Sequence, residues 1–465
     1  MRFYEQLDRF GDSVALLCDD GAKYTYRQLE TQTMMFAQRV YSPVRRVAFI
    51  IVNNCEQSVW GYLGFLRADV VPLLLGNKLS HELFERLIEM YHPTWIWAEE
   101  DYFCQNEQYR HGKYVLSKLD AEPYSIHPDL CMMLTTSGST GSPKCVRQTK
   151  ANLEINSTCA VEHLRLSQEE CFMTTLPMNY TYGLMSLQSH LLAGARIIMN
   201  RHSVMTREFW QLLQEHKATS FAGVPFTYEM LRRMRFTSMD LPHLRYVTEA
   251  GGKMEKDAII EVATALNKKG KDFIVLYGQT EGTCFMSYVP HEQQITKAGS
   301  IGVPFRCGEF SLVDEDGKTI SGIGKSGELV FSGTSVCFGY AEGWQDLELG
   351  DVWNGYLPTG DIAQCDEDGF YTIVGRKKRF LKIHGERINL DEIEGLLRDR
   401  GIENVCQGRD DEICIYTTNE DVTAIRTQLN QLTGINRECL TVRRIPYIPR
   451  NESGKILYSE LDKLI

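Results

Sequence analysis

Apolar runs that alternate with amphipathic stretches of helical spacing limit the fold of this chain more than any other feature. VAFIIV (47–52) is followed by SVWGYLGFLRA, and VVPLLL (70–75) by HELFERLIEMY. The rhythm returns at CFMTTLP, LMSLQSHLLAG, RIIMN and FWQLLQEHK. A short, continuously apolar run is what a strand buried on both faces requires, and the intervening helices supply the crossovers, so the pattern predicts parallel sheet covered by helices. After Gly299 the grain changes. FSLVDEDGK, GELVFSG and DEDGFYTIVG are short alternating runs broken by Asp-Gly pairs, which predict hairpins of a small antiparallel unit. The charged run Arg376-Lys377-Lys378-Arg379, which no core strand or helix face would hold comfortably, marks a boundary, and beyond it a helix (LDEIEGLLRDR), a strand (DEICIYTT) and a second helix (VTAIRTQLNQL) make up an α+β domain. The expected fold is therefore α/β: a large amino-terminal region of α/β sheets plus a small β unit (1–376), then a smaller carboxyl-terminal α+β domain (377–465).

Composition narrows the classes. Of 465 residues, 43% are hydrophobic and 24% charged, the balance of a folded chain long enough for about three lobes, or for one large domain with a smaller partner. Acidic residues exceed basic ones by 61 to 50, for a net charge of −11, which argues against nucleic acid as a partner. No apolar run approaches the ~20 residues that span a bilayer, and MRFYEQLDRFGD is the wrong pattern for a secretory signal, so a cytoplasmic location is expected. The fourteen cysteines include no Cys-x-x-Cys pair and mostly lie in apolar segments, as Cys131 and Cys414 do, which favours reduced core thiols over disulfides or zinc ligands.

Five segments carry candidate chemistry. TTSGSTGSPK (135–144) follows the strand-like LCMML; a loop this rich in Gly, Ser and Thr can turn amides and hydroxyls toward a polyphosphate, with a lysine adding positive charge. It fails the P-loop pattern, which needs Gly where Pro143 stands, and composition alone is equally compatible with a flexible linker. YGQTEG (277–282) places an aromatic, a hydroxyl and a carboxylate at a strand end, where they can stack a base, bond a phosphate and bind magnesium, although polar residues follow many strands. In TGD (359–361) a carboxylate after a Gly turn can accept from a ribose diol, or simply close the turn. Gly375-Arg376 opens the basic run, and PRNESGKI (449–456) presents a lysine beside a glycine, a residue that in isolation reads as a solvated charge.

In this order and spacing the five segments, with TYRQLE (25–30) before them and GRKKRFLKIHGERI (375–388) among them, form a specific signature. The chain resembles the adenylate-forming superfamily of acyl-CoA synthetases, aryl-CoA ligases, carrier-protein adenylation domains and beetle luciferases over nearly its whole length. The resemblance implies that ATP and a carboxylic acid form an acyl-adenylate with release of pyrophosphate, and that a pantetheine thiol, of coenzyme A or an acyl carrier protein, then takes the acyl group. It implies Thr135, Ser137, Ser139, Thr140 and Lys144 as holders of the β- and γ-phosphates, Tyr277 as the adenine stack, Thr280 as the α-phosphate contact and Glu281 as the Mg2+ ligand. Asp361 and Arg376 fall at the ribose, and Lys455 bridges carboxylate and α-phosphate in the transition state. The small domain is expected to be mobile about Lys378, with Lys382 and Gly385 serving the thiol step.

The acid pocket is implied at Asn179, Tyr180, Tyr182 and Gly183, where Tyr180 replaces the family's usual histidine, and at the Ala250-Gly251-Gly252 turn. No carboxylate stands near this stretch of sequence to hold an α-ammonium, which predicts an aryl or a short or medium acyl acid. The competing readings are an amino-acid adenylation enzyme loading a free-standing carrier protein, a luciferase-like oxidase, and an inactive nucleotide-binding homologue. Lys144, Glu281, Asp361 and Lys455 together argue against the last.

Overall fold

The computed structural model describes residues 2–135, 144–384, 386–451 and 454–465. Two compact units emerge, the first built mainly from residues before Glu309 with Phe331–Leu357, the second from Phe310–Val330 and Pro358–Ile465.

The first unit holds two large sheets. In one, Val14–Cys18, Arg196–Met199, Cys171–Met173, Ser220–Gly223, Tyr246–Glu249 and Asp272–Tyr277 run parallel as neighbours in that order, with short antiparallel strands at both edges. In the other, Leu130–Thr135, Val71–Gly76, Val47–Val52 and Trp95–Glu99 form the parallel centre. Antiparallel Cys145–Thr149 and then Tyr340–Ala341 extend it beyond Leu130–Thr135. The apolar runs thus became the central strands, and VAFIIV is buried at every position, as parallel strands covered on both faces must be. Helix starts follow local chemistry: Thr25 and Thr149 close capping boxes with Gln28 and Asn152, and Ser80 caps His81–Tyr91. Two glycines let helix Glu56–Arg67 lie close to its neighbours. A Cβ on Gly61 would stand 2.3 Å from the Trp97 ring, and one on Gly64 2.5 Å from that of Phe36.

The second unit is built around a four-stranded sheet, in the order Gly308–Val313, Ser326–Gly333, Tyr356–Cys365, Tyr371–Arg376. Both Asp-Gly pairs turn hairpins as expected, with Gly317 at φ 78° and Gly369 at φ 81°. Its carboxyl-terminal part pairs Phe380–Ile383 with Glu386–Asn389 and packs helices Leu390–Arg398 and Val422–Thr433 on the sheet Asn404–Arg409, Glu412–Thr417, Leu440–Arg444 through Leu397, Ile413, Ile415 and Leu429.

The charged run differs from its reading as a stretch that no core would hold. Arg376 ends a strand, Lys377 pairs with Glu328 at 2.7 Å, and the Arg379 side chain is only 14% exposed, held by Asp391, by Glu394 at 2.5 Å and by the Tyr458 hydroxyl at 2.8 Å. A guanidinium tolerates burial when its fork is filled, and here it is. All fourteen cysteines are free, most of them buried, with Cys414 half-buried. No helix among the described residues is long and apolar enough to cross a membrane.

Candidate active site

The YGQTEG segment begins where strand Asp272–Tyr277 ends, and only glycine fits its second position: a Cβ on Gly278 would lie 1.5 Å from the carbonyl oxygen of Cys284. The chain turns through Thr280–Gly282 and leaves by Thr283 at φ 70°, a left-handed conformation that a β-branched residue resists. Thr283 is buried and tied on all sides. Its Oγ1 donates to the Ser335 carbonyl at 2.6 Å, and its own carbonyl accepts from Thr181 Oγ1 at 2.6 Å and Gln148 Nε2 at 3.4 Å. The strained turn thereby fixes the residues just before it. The Thr280 carbonyl accepts from Gln148 and from Cys337 Sγ, both at 3.3 Å. Glu281 accepts at Oε1 from the Tyr340 hydroxyl at 2.6 Å. Burial, and then the charge of Glu281, push the Tyr340 phenol above its ordinary range, so it remains a donor.

Lys144 meets the same tyrosine. Its Nζ stands 2.6 Å from Glu342 Oε1 and 5.8 Å from the centre of the Tyr340 ring. Both side chains of that ion pair are well exposed, at 42% and 61%, and such pairs are worth only ~0–1 kcal/mol, so a polyanion can take the lysine from Glu342. Tyr340 thus gathers Glu281 and Lys144, which are remote in sequence. Nearby in the chain Tyr277 ends its strand half-buried, and Gln279 Nε2 is buried without a hydrogen-bond partner among the described residues. A carboxylate, an ammonium and an unanswered amide donor suit a phosphate chain with its divalent counter-ion. Thr135 ends its strand opposite Cys145, while Ser137, Ser139 and Thr140 lie outside the described residues.

In the second unit Asp361 and Arg376 are opposite residues of adjacent antiparallel strands, joined at 3.0 Å with Asp361 only 5% exposed. Gly360, at φ 75°, makes the bend before Asp361, whose amide donates to Thr359 Oγ1 at 3.1 Å. Lys455 follows a turn organised by Asn451: the Asn451 side chain accepts from the Lys455 amide at 2.9 Å, the Asn451 amide donates to the Lys455 carbonyl at 2.8 Å, and Gly454 takes φ 75°. Lys378 is the exposed middle residue of the short turn Lys377–Arg379, between two anchored neighbours. The Lys382 amide donates to Asp410 at 2.8 Å, and Gly385 lies outside the described residues.

The acid-pocket residues divide. Tyr180 lies over the Gly251 turn, where a Cβ would meet its hydroxyl at 2.3 Å, and Asn179 faces Gly76 at the end of Val71–Gly76. Ala250 is buried, and a Cβ on Gly252 would touch Pro225 at 3.0 Å. Tyr182, by contrast, is a core residue whose hydroxyl is joined to Thr248 Oγ1 at 2.5 Å, and Gly183 is required because a Cβ would strike the Pro177 carbonyl at 2.4 Å. Three residues were not singled out in the sequence. Tyr340 and Glu342 gain their roles only by folding. Glu249 ends strand Tyr246–Glu249 two residues before Gly251; it is 2% exposed, and its Oε1 has no partner among the described residues. It brings to this wall a carboxyl that the residues adjacent in sequence do not offer, and its influence raises the phenol values of both Tyr180 and Tyr182, after burial. Its only legible signal was an acid at the end of an otherwise uncharged strand.

The profile of the AMP-binding enzyme family matches residues 3–341, and the chain belongs to that family. Within it the protein is an ATP-dependent, AMP-forming acid–thiol ligase. It is 29% identical to a long-chain-fatty-acid–CoA ligase of Yersinia pestis over 94% of this chain and 79% of that one. It is 27% identical to a 4-coumarate–CoA ligase of rice over 95% and 87%. The O-succinylbenzoate coenzyme A synthetase of Bacillus subtilis, solved with AMP, shares the fold at a TM-score of 0.80 and 21% identity, over 99% of this chain and 98% of that one.

Proposed function

We propose that the enzyme binds ATP with Mg2+, activates a small carboxylic acid as its adenylate and delivers the acyl group to coenzyme A. The observation that carries this reading is the cluster at Tyr340, where Glu281 and Lys144 come together as a magnesium ligand and a phosphate cation would. Thr135 and Lys144 hold the outer phosphates, Thr280 the α-phosphate and Tyr277 the adenine. Asp361 and Arg376 bind the ribose, and Lys455 stabilises the charge that builds up in the transition state. Lys378 is the hinge on which residues 377–465 change orientation between the two steps, and Lys382 serves the second. Coenzyme A is preferred to a carrier protein as acceptor because the relatives named above are coenzyme A ligases. Tyr180, Asn179 and the Ala250–Gly252 turn line the acid site, with aryl and short or medium acyl acids as its substrates.

The test is ATP–pyrophosphate exchange over a panel of fatty, aryl and amino acids, followed by thioester formation with coenzyme A. Exchange with a fatty or aryl acid and a coenzyme A product are expected. Exchange with amino acids alone would overturn the substrate class, and a product formed only on a carrier protein would overturn the acceptor.

A further inference from the structure

Arg147 lies in strand Cys145–Thr149, three residues after Lys144, and its side chain is wholly buried. A buried guanidinium ordinarily faces a carboxylate. This one has none within ion-pair distance among the described residues; Asp346 and Asp351 act on it only at longer range, and desolvation lowers its affinity for its proton. Its fork is filled instead by main-chain carbonyls of one segment. Nε donates to Tyr340 at 3.2 Å, Nη2 to Phe338 at 2.7 Å and Gly350 at 3.2 Å, and Nη1 to Leu349. The main chain reinforces the attachment, since the Arg147 amide donates to the Gly339 carbonyl at 2.9 Å and Tyr340–Ala341 pairs with Val146 and Cys145. That segment carries both side chains that touch the functional charges of this unit: Tyr340 on Glu281 and Glu342 on Lys144.

We propose that Arg147 is a positioning residue for the nucleotide site, a cation whose work is to gather the carbonyls of residues 338–350 so that Tyr340 holds Glu281 at the orientation magnesium needs. This rests on the assignment of Glu281 and Lys144 to the ATP site. Only a planar fork with five donors can reach four carbonyls at once; a lysine carries three donors on a single nitrogen and holds fewer. Residues that orient a metal ligand typically change metal affinity by about 10–100-fold when removed.

Titrating MgATP into the full-length protein by calorimetry tests this, alongside thermal melts. Arg147→Met should weaken MgATP binding by about tenfold or more, with Arg147→Lys between it and wild type. In a Tyr340→Phe background the effect of Arg147→Met should shrink, because the route to Glu281 is already cut. A residue that merely holds the fold together would lower the melting temperature and leave the MgATP affinity of the folded protein unchanged, and that outcome overturns the proposal. If Arg147→Met does not fold, unchanged affinity in Arg147→Lys overturns it equally. Glu281→Gln is the control. If it binds MgATP with wild-type magnesium dependence, the site assignment falls and the proposal with it. If it loses that dependence while both Arg147 variants keep their affinity, the proposal alone falls.

Discussion

Arg147 in the first compact unit is wholly buried and Arg379 in the second is nearly so, and these two arginines are satisfied in opposite ways. In the first, the Arg147 guanidinium donates, among the described residues, to carbonyl oxygens only, and Glu281 and Lys144 meet their partners Tyr340 and Glu342 on the segment that supplies those carbonyls. In the second, Arg379 lies between two carboxylates, Asp391 and Glu394, and neighbouring Arg376 pairs with Asp361 across two strands. Carbonyl dipoles orient a loop without fixing any formal charge beside it, whereas a guanidinium between two acids leaves a strongly unbalanced site when it is removed. On the proposed assignment the first arrangement shapes the site, while the second ties the turn Lys377–Arg379 to the helix Leu390–Arg398.

The largest expected effect tests the second half of that contrast. Arg379→Met strands Asp391 and Glu394 in a low-dielectric setting, and removing one partner from a buried ion-pair group costs about 3–5 kcal/mol. Denaturant unfolding should show that loss; a loss under about 1 kcal/mol would mean the group behaves as a surface pair, and the contrast with Arg147 would disappear.

Lys455→Ala comes next. Its backbone is fixed by Asn451 independently of the side chain, so the variant should fold normally and bind MgATP as wild type does. Pyrophosphate exchange should fall by about 100–1,000-fold, the usual effect of losing one donor to a developing negative charge. Wild-type exchange would remove Lys455 from the chemistry. Lys378→Pro should act more selectively. Lys377 is tied to Glu328 and Arg379 to Asp391 and Glu394, so a change of orientation on the proposed hinge must be absorbed at the residue between them. Proline fixes φ near −65° and restricts the residue before it. If that shape suits adenylation, adenylate should accumulate while thioester formation collapses, and equal retention of both steps would move the hinge elsewhere.

What the sequence made legible follows from what is local. Parallel strands were read because burial on both faces forces a continuous apolar run, and hairpins because Asp-Gly carries its own turn geometry. The residues of YGQTEG and TGD were likewise recognisable as candidates, since a strand-to-turn junction and its polar residues lie within six positions. The partners of those residues were not. Tyr340 lies 59 positions from Glu281, and 193 separate it from Arg147, which reads in CVRQT as an ordinary polar position on a strand. Arg379 was misjudged for the same reason: four adjacent cations look like a solvated boundary until Asp391 and Glu394 arrive on a helix beginning eleven residues later.

Glu249 sharpens the comparison with a third solution, a buried ionisable group with no charged partner among the described residues. Burial alone pushes its carboxyl well above the ordinary carboxylate range, so the folded chain keeps it protonated where the unfolded chain, titrating near about 4.3, has ionised it. A group whose folded value is raised contributes its stability below the unfolded value and loses it as pH climbs toward the folded one. Glu249→Gln cannot ionise and escapes that loss. The thermal midpoint of the variant should therefore gain on that of wild type as pH rises from about 5 to about 8, by a few degrees at most. Melting both proteins across that range isolates Glu249 from every other titrating group, because those are shared. A gap that stays constant would mean that the carboxyl ionises as freely in the folded chain as in the unfolded one, which requires water or a cation at its side. Glu249 would then be a charged wall of the acid pocket, and an ammonium-bearing acid would return as a substrate.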